Sequence, residues 1–162
     1  MRMMRHDKHF IILLILVLVL DVTSNGRLII PALSIDIGLT ECEYDDPWTA
    51  QAIVDAEDSA AIFAFGCEWV IADHNNQGFA TLHKVTPGMR AYLDGEEYYC
   101  VRATTGGNGP GIYTSDGVQL SEQNPGGIAM YTCNEEWWDI LITLWQPVPP
   151  PNYLPPIREE AQ

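Results

Sequence analysis

The alternation of apolar and polar positions breaks the chain into many short extended runs. "RLIIPALSIDIGL" offers two brief extended pieces on either side of Pro31, which cannot donate to a β-ladder and therefore suits an edge or a bend. "PWTAQAIVDA" has helical spacing for about two turns. "AAIFAFGCEWVIAD" is apolar and rich in β-formers around Gly66, "HNNQG" reads as a turn, and "FATLHKV" gives one or two helical turns that Pro87 and Gly88 end. "MRAYLDGEEYYCVRATT" is a hairpin signal, two alternating runs joined by Asp94-Gly95. "GGNGPG" and "NPGG" break the pattern before "GGIAMYTCNEEWWDILITLW", in which a strand ending on Thr132 and Cys133 is followed by a short polar loop and a second strand-like run. Short strands with turn signals roughly every 8 to 12 residues predict an all-β domain, a closed or nearly closed barrel of about eight strands with a few short helices.

The first residues follow a different rule. Basic residues Arg2, Arg5 and Lys8 precede an unbroken apolar run from Phe10 to Leu20. That run fits the roughly 7 to 15 residues of an export-signal core and falls short of the roughly 20 that span a bilayer comfortably. Residues 1–24 are therefore expected to be a signal peptide cleaved after about Ser24, or an uncleaved N-terminal membrane anchor. In both cases the domain, 25–146, works outside the cytoplasm: at the outer face of the cell membrane, or secreted. The tail 147–162 is proline-rich and expected to be extended.

Charge narrows the partners. The formal net charge is −14, and the basic residues beyond the leader (Arg27, Lys84, Arg90, Arg102, Arg158) are scattered, so no stripe is present to neutralise phosphates. Nucleic acid is excluded as a partner on that ground. Export makes disulfides available to Cys42, Cys67, Cys100 and Cys133, a Cys42–Cys67 bridge among them. None of the spacings is CxxC and no EF-hand pattern occurs, so no metal and no cofactor is expected.

Two positions carry chemistry. Cys133 ends a strand, and His74 follows the strand-like Val70 to Asp73 at the start of a turn. Asp73 neighbours His74, yet in an extended segment adjacent side chains point to opposite faces. "LIIPALSIDIGL", "IADHNNQGFATLHKVTPGMRAYL" and "IAMYTC", in that order, resemble the sortase family of cysteine transpeptidases over roughly Arg27 to Trp145. The resemblance implies an eight-stranded sortase-like barrel with Cys133 as nucleophile and His74 as acid–base. It implies that a sorting-signal peptide of an exported protein is cleaved through a thioester on Cys133, and that the acyl group passes to an amine, such as a cell-wall precursor or a pilin lysine, or to water. The family's arginine, expected on the strand after the cysteine loop, has no counterpart in "WWDILITLW". Arg102 is the candidate for a relocated cation, with Arg90 second, and Trp137 and Trp138 are candidates for the substrate groove. The alternatives are a sortase-like domain of weak or no activity that binds peptide or cell-wall material, and an unrelated exported β-barrel binding module.

Overall fold

The structure is a computed structural model and describes residues 26–57, 59–108, 112–120, 124–133 and 139–149. The leader, Asn134 to Trp138 and the end of the proline-rich tail lie outside the described residues. The described residues form nine strands in chain order: β1 (Gly26–Ile30), β2 (Ile35–Glu41), β3 (Ser59–Phe65), β4 (Cys67–Ala72), β5 (Arg90–Leu93), β6 (Glu96–Asn108), β7 (Ile112–Thr114), β8 (Ile128–Cys133) and β9 (Asp139–Pro147). Among the described residues there are also an α-helix, α1 (Pro47–Asp55), and short 3-10 turns at Pro31–Leu33 and Leu82–Lys84. Neighbours run β5-β1-β2-β3-β4-β8-β9-β6, and β5 pairs with β6 to close an eight-stranded barrel; β7 pairs with β6 as a ninth strand. The all-β reading from the alternation is thus the observed class.

Local chemistry accounts for the connections. Asp94 and Gly95 both take positive φ, 51° and 86°, between the Leu93↔Glu96 pair, the backbone that a two-residue hairpin requires. Gly66, also at positive φ, turns β3 back into β4. Most neighbours are antiparallel, but β2–β3 and β4–β8 are parallel. A parallel pair needs a crossover, and α1 supplies the first one. Its start is fixed by Asp46, whose carboxylate accepts hydrogen bonds from the Thr49 amide (3.1 Å) and hydroxyl (2.6 Å), with Pro47 in the first turn.

Alternation then sorts the side chains into two layers. Leu28, Ile30, Leu39, Ile71, Ile128, Met130 and Trp145 fill the barrel interior. Phe63, Val70, Ala72, Ala129, Ile142 and Leu144 form an apolar patch on the outside of β3, β4, β8 and β9, covered by Ile112 and Leu120. Trp145 is fully buried; its indole N–H donates to the Thr143 hydroxyl at 2.8 Å, which itself donates to the Met130 carbonyl, tying β9 to β8.

Candidate active site

The two-layer alternation fixes where the thiol goes. Along β8, Met130 and the buried Thr132 face inward, whereas Ala129, Tyr131 and the exposed Cys133 face outward. Along β4, Ile71 faces in and Ala72 out, so the next two residues place Asp73 inward and His74 outward. The strands are parallel neighbours with Ala72 opposite Tyr131, and the Asp73 amide donates to the Tyr131 carbonyl at 3.4 Å. His74 and Cys133 therefore stand at the ends of adjacent strands, at one level and on one face. Both line a single cavity of about 350 Å³.

The cavity walls are mostly apolar: Tyr44, Pro47, Ala50, Val54, Phe63, Ala72, Ile112 and Tyr131. Helix α1 makes one side with Pro47, Ala50, Gln51 and Val54, the spacing of a single helical face. Gln51 and Asp55, one turn apart, reach the imidazole. His74 Nε2 lies 2.9 Å from Asp55 Oδ1, the Gln51 amide donates to the same oxygen at 2.8 Å, and the two nitrogens are 3.4 Å apart because both converge on it. The hydrogen bonds from His74 and then Gln51 hold the Asp55 carboxyl below the usual carboxylate range. The sequence reading missed both residues. One signal was present: Asp55 is an acid in the last turn of a helix, where the macrodipole disfavours negative charge, and no basic residue offsets it there.

Beneath the histidine the barrel end is polar. Asp73 is buried, its Oδ1 accepts the His74 main-chain N–H at 2.8 Å, and its Oδ2 has no hydrogen-bond partner. Burial pushes its carboxyl up, and the amides of His74, Gly78 and Phe79 offset part of that. Asp73 thus holds the turn that carries His74 and leaves the ring to Asp55. The Thr132 hydroxyl and Gln77 Oε1 are likewise buried without partners. Tyr131 is half-buried beside Cys133, and its phenol is pushed up to about 12 by burial first, with Cys133, Cys42 and Tyr44 adding to the effect.

The relocated cation is not brought to the thiol. Arg102 pairs with Leu144 on β9, and Leu144 with Ala129 on β8, whereas Cys133 pairs with Ile140 and Ile140 with Gly106. The arginine is thus four register positions along, about 13 Å, and two strand spacings across, about 10 Å. Its strand borders β9 and not β8, and its guanidinium is held 3.2 Å from Asp116. Arg90 lies 3.7 Å from Glu97 and over the Tyr99 ring. No lysine or arginine is among the described residues lining the cavity. Trp137 and Trp138 fall outside the described residues. Cys42 is a free thiol, so the Cys42–Cys67 bridge is not formed; Cys100 is free and buried, and burial pushes its thiol up to about 11. Among the described residues no group of three His, Cys, Asp or Glu gathers to hold a metal.

Neither a protein-family model nor a curated protein matches the chain. Solved structures do. Sortase A of Listeria monocytogenes superposes with a TM-score of 0.56 at 15% identity, over 76% of this chain and 86% of that one. The sortase D5 transpeptidase of Clostridium perfringens gives 0.55 at 15% identity, over 76% and 78%. Sortase C of Streptococcus pneumoniae, whose structure bears on catalysis and pilin substrate specificity, gives 0.57 at 17% identity, over 77% and 68%. The chain has the sortase-like fold.

Proposed function

We propose that this chain is an extracytoplasmic cysteine transpeptidase of sortase type, with Cys133 as nucleophile and His74 as general acid and base. The observation that carries the reading is the placement of an exposed thiol and an imidazole at the ends of two adjacent parallel strands, on one face and in one apolar cavity. The substrate is the extended sorting-signal peptide of an exported protein, and the acceptor an amine of a cell-wall precursor or pilin, or water.

The chemistry follows from the groups present. The Cys133 sulfur, its proton taken by His74, attacks the scissile carbonyl and forms a C–S bond. The tetrahedral intermediate collapses as the C–N bond breaks, and the imidazolium gives its proton to the leaving amine. The incoming amine or water attacks the thioester, loses its proton to His74 and releases the thiolate. The developing oxyanion needs donors, and among the described residues no lysine or arginine lines the cavity. Tyr131, on the same face two residues before Cys133, supplies a phenol O–H that stays protonated throughout the neutral range.

The test is a peptide-library cleavage assay with an amine acceptor, followed by mass analysis for an acyl adduct on Cys133. Adduct formation that disappears in Cys133→Ala, and turnover that disappears in His74→Ala, is the expected result. The missing cation favours a second reading, peptide binding without turnover. Saturable peptide binding with no adduct at any pH would replace the enzymatic reading by that one.

A further inference from the structure

The geometry points to Asp55, at the C-terminal end of α1, as a positioning residue for His74, making a Cys133–His74–Asp55 chain with the carboxylate supplied by the β2–β3 crossover. The catalytic meaning of this pairing rests on the transpeptidase reading, whereas the contact itself does not. A carboxylate oxygen only accepts, so the 2.9 Å contact requires His74 Nε2 to carry a proton. Nδ1 is then the ring nitrogen left to take the Cys133 proton and later to return it to an amine. When His74 is doubly protonated, Asp55 also lies opposite the positive charge.

Gln51 makes the arrangement directional. Its amide donates to the same Oδ1 at 2.8 Å, so the carboxylate is clamped between a helix neighbour and the ring and cannot swing away without losing both bonds. The clamp is 60% exposed at Asp55 and 28% at His74, so water competes with it, and it orients more than it binds. The other titratable groups lining the same cavity are Glu43 and Tyr44 on the segment before α1, Cys133 and Tyr131 on β8, and Asp73, which turns inward and accepts the His74 main-chain N–H. Among the described residues none of these touches Nε2. The position of Asp55 is costly for the helix, as an acid beside the negative end of the macrodipole, and a side-chain role outside the helix accounts for its being there.

The experiment uses the full chain in detergent micelles and the alanine and glutamate variants of Asp55. At low temperature the imidazole N–H proton of His74 is sought in the downfield proton spectrum, assigned to Nε2 through labelled histidine and the His74→Gln variant. The resonance is expected in the wild type, retained in Asp55→Glu and lost in Asp55→Ala. Turnover with a cleavable peptide should fall at least about 10-fold in Asp55→Ala, a fraction of the roughly 100- to 10,000-fold that a positioned acid–base contributes, with partial rescue by Asp55→Glu. A circular-dichroism melt confirms that each variant folds. A resonance that survives in Asp55→Ala, or that belongs to Nδ1, overturns the assignment, as does full turnover once the resonance is gone. If the resonance depends on Asp55 while the wild type forms no acyl adduct, the pairing stands and the transpeptidase reading alone falls.

Discussion

Gly78→Ala is a sharp probe of how the histidine is held. Gly78 closes the turn after His74, and a Cβ built there runs into Ile37 Cδ1 and Asp73 Oδ2. The first obstacle is the far end of a flexible side chain and can rotate. The second is a buried carboxylate whose other oxygen accepts the His74 N–H at 2.8 Å, so pushing it aside strains or breaks the bond that fixes the start of the turn. Overpacking by one methyl typically costs about 1–3 kcal/mol, and losing a hydrogen bond to a charged or acidic group adds about 1.5–3 kcal/mol. The sum, roughly 2.5–6 kcal/mol, is a large part of the ~5–15 kcal/mol that holds an ordinary domain together. Urea unfolding monitored by tryptophan fluorescence should show the midpoint falling at unchanged slope, and acylation of Cys133 should slow in the remaining folded protein because the imidazole has lost its seat. Ile37→Val in the same chain should recover only the part due to the first obstacle. An unfolding midpoint equal to the wild type would show that the turn does not press on Asp73, and would remove the link between that carboxylate and the histidine.

Other substitutions separate the remaining roles. Tyr131→Phe should lower kcat by about 100-fold, the low end of what one oxyanion donor supplies, with peptide affinity little changed; unchanged kcat would assign the oxyanion to main-chain amides. Arg102→Ala should break the contact with Asp116 and leave turnover within about two-fold, since exposed ion pairs contribute little and this one stands well away from the thiol; a 100-fold loss would restore a catalytic arginine. Asp73→Asn tests the buried carboxyl by pH. Because the folded-state value is raised, the native chain holds more protons than the unfolded one between the ordinary carboxylate value near 4 and the raised value, so wild-type stability falls as pH rises through that window. Denaturation midpoints of wild type and Asp73→Asn should run together below about pH 4 and diverge above it in favour of the variant; parallel curves would mean that Asp73 ionises freely in the fold.

Much of this architecture was legible from local pattern. Asp94-Gly95 announced its hairpin because two successive positive-φ residues are a local demand, and period-two alternation marked the strands around Ile71 and Met130 because each has one face in the barrel and one outside. Cys133 and His74 were legible as ends of strands with a polar turn beyond. What escaped was everything set by which strand lies next to which. Plain alternation puts Arg102 on the face of Cys100, two residues before it, but Cys100 is buried in the barrel and the bulge between them turns Arg102 outward; β9 then intervenes and the register offsets it from Cys133 by four residues. Asp55 and Gln51 depend on how α1 packs across the barrel wall, a tertiary choice that helical spacing alone does not encode.

The parallel pairing of β4 with β8 means that the Cys133 thiol and the His74 imidazole are brought together by one register, while the whole intervening stretch of chain, β5 to β7 with their loops, is a detour that returns to the same place. Loop-closure entropy grows only slowly with length, so ten further residues in that detour cost under about 1 kcal/mol and leave the two strand ends where they are. Such a barrel can lengthen or rewrite those segments and leave the placement of Cys133 beside His74 untouched. A single-residue insertion inside β8 has the opposite effect, for it turns the thiol into the barrel and presents its neighbour Thr132 in its place.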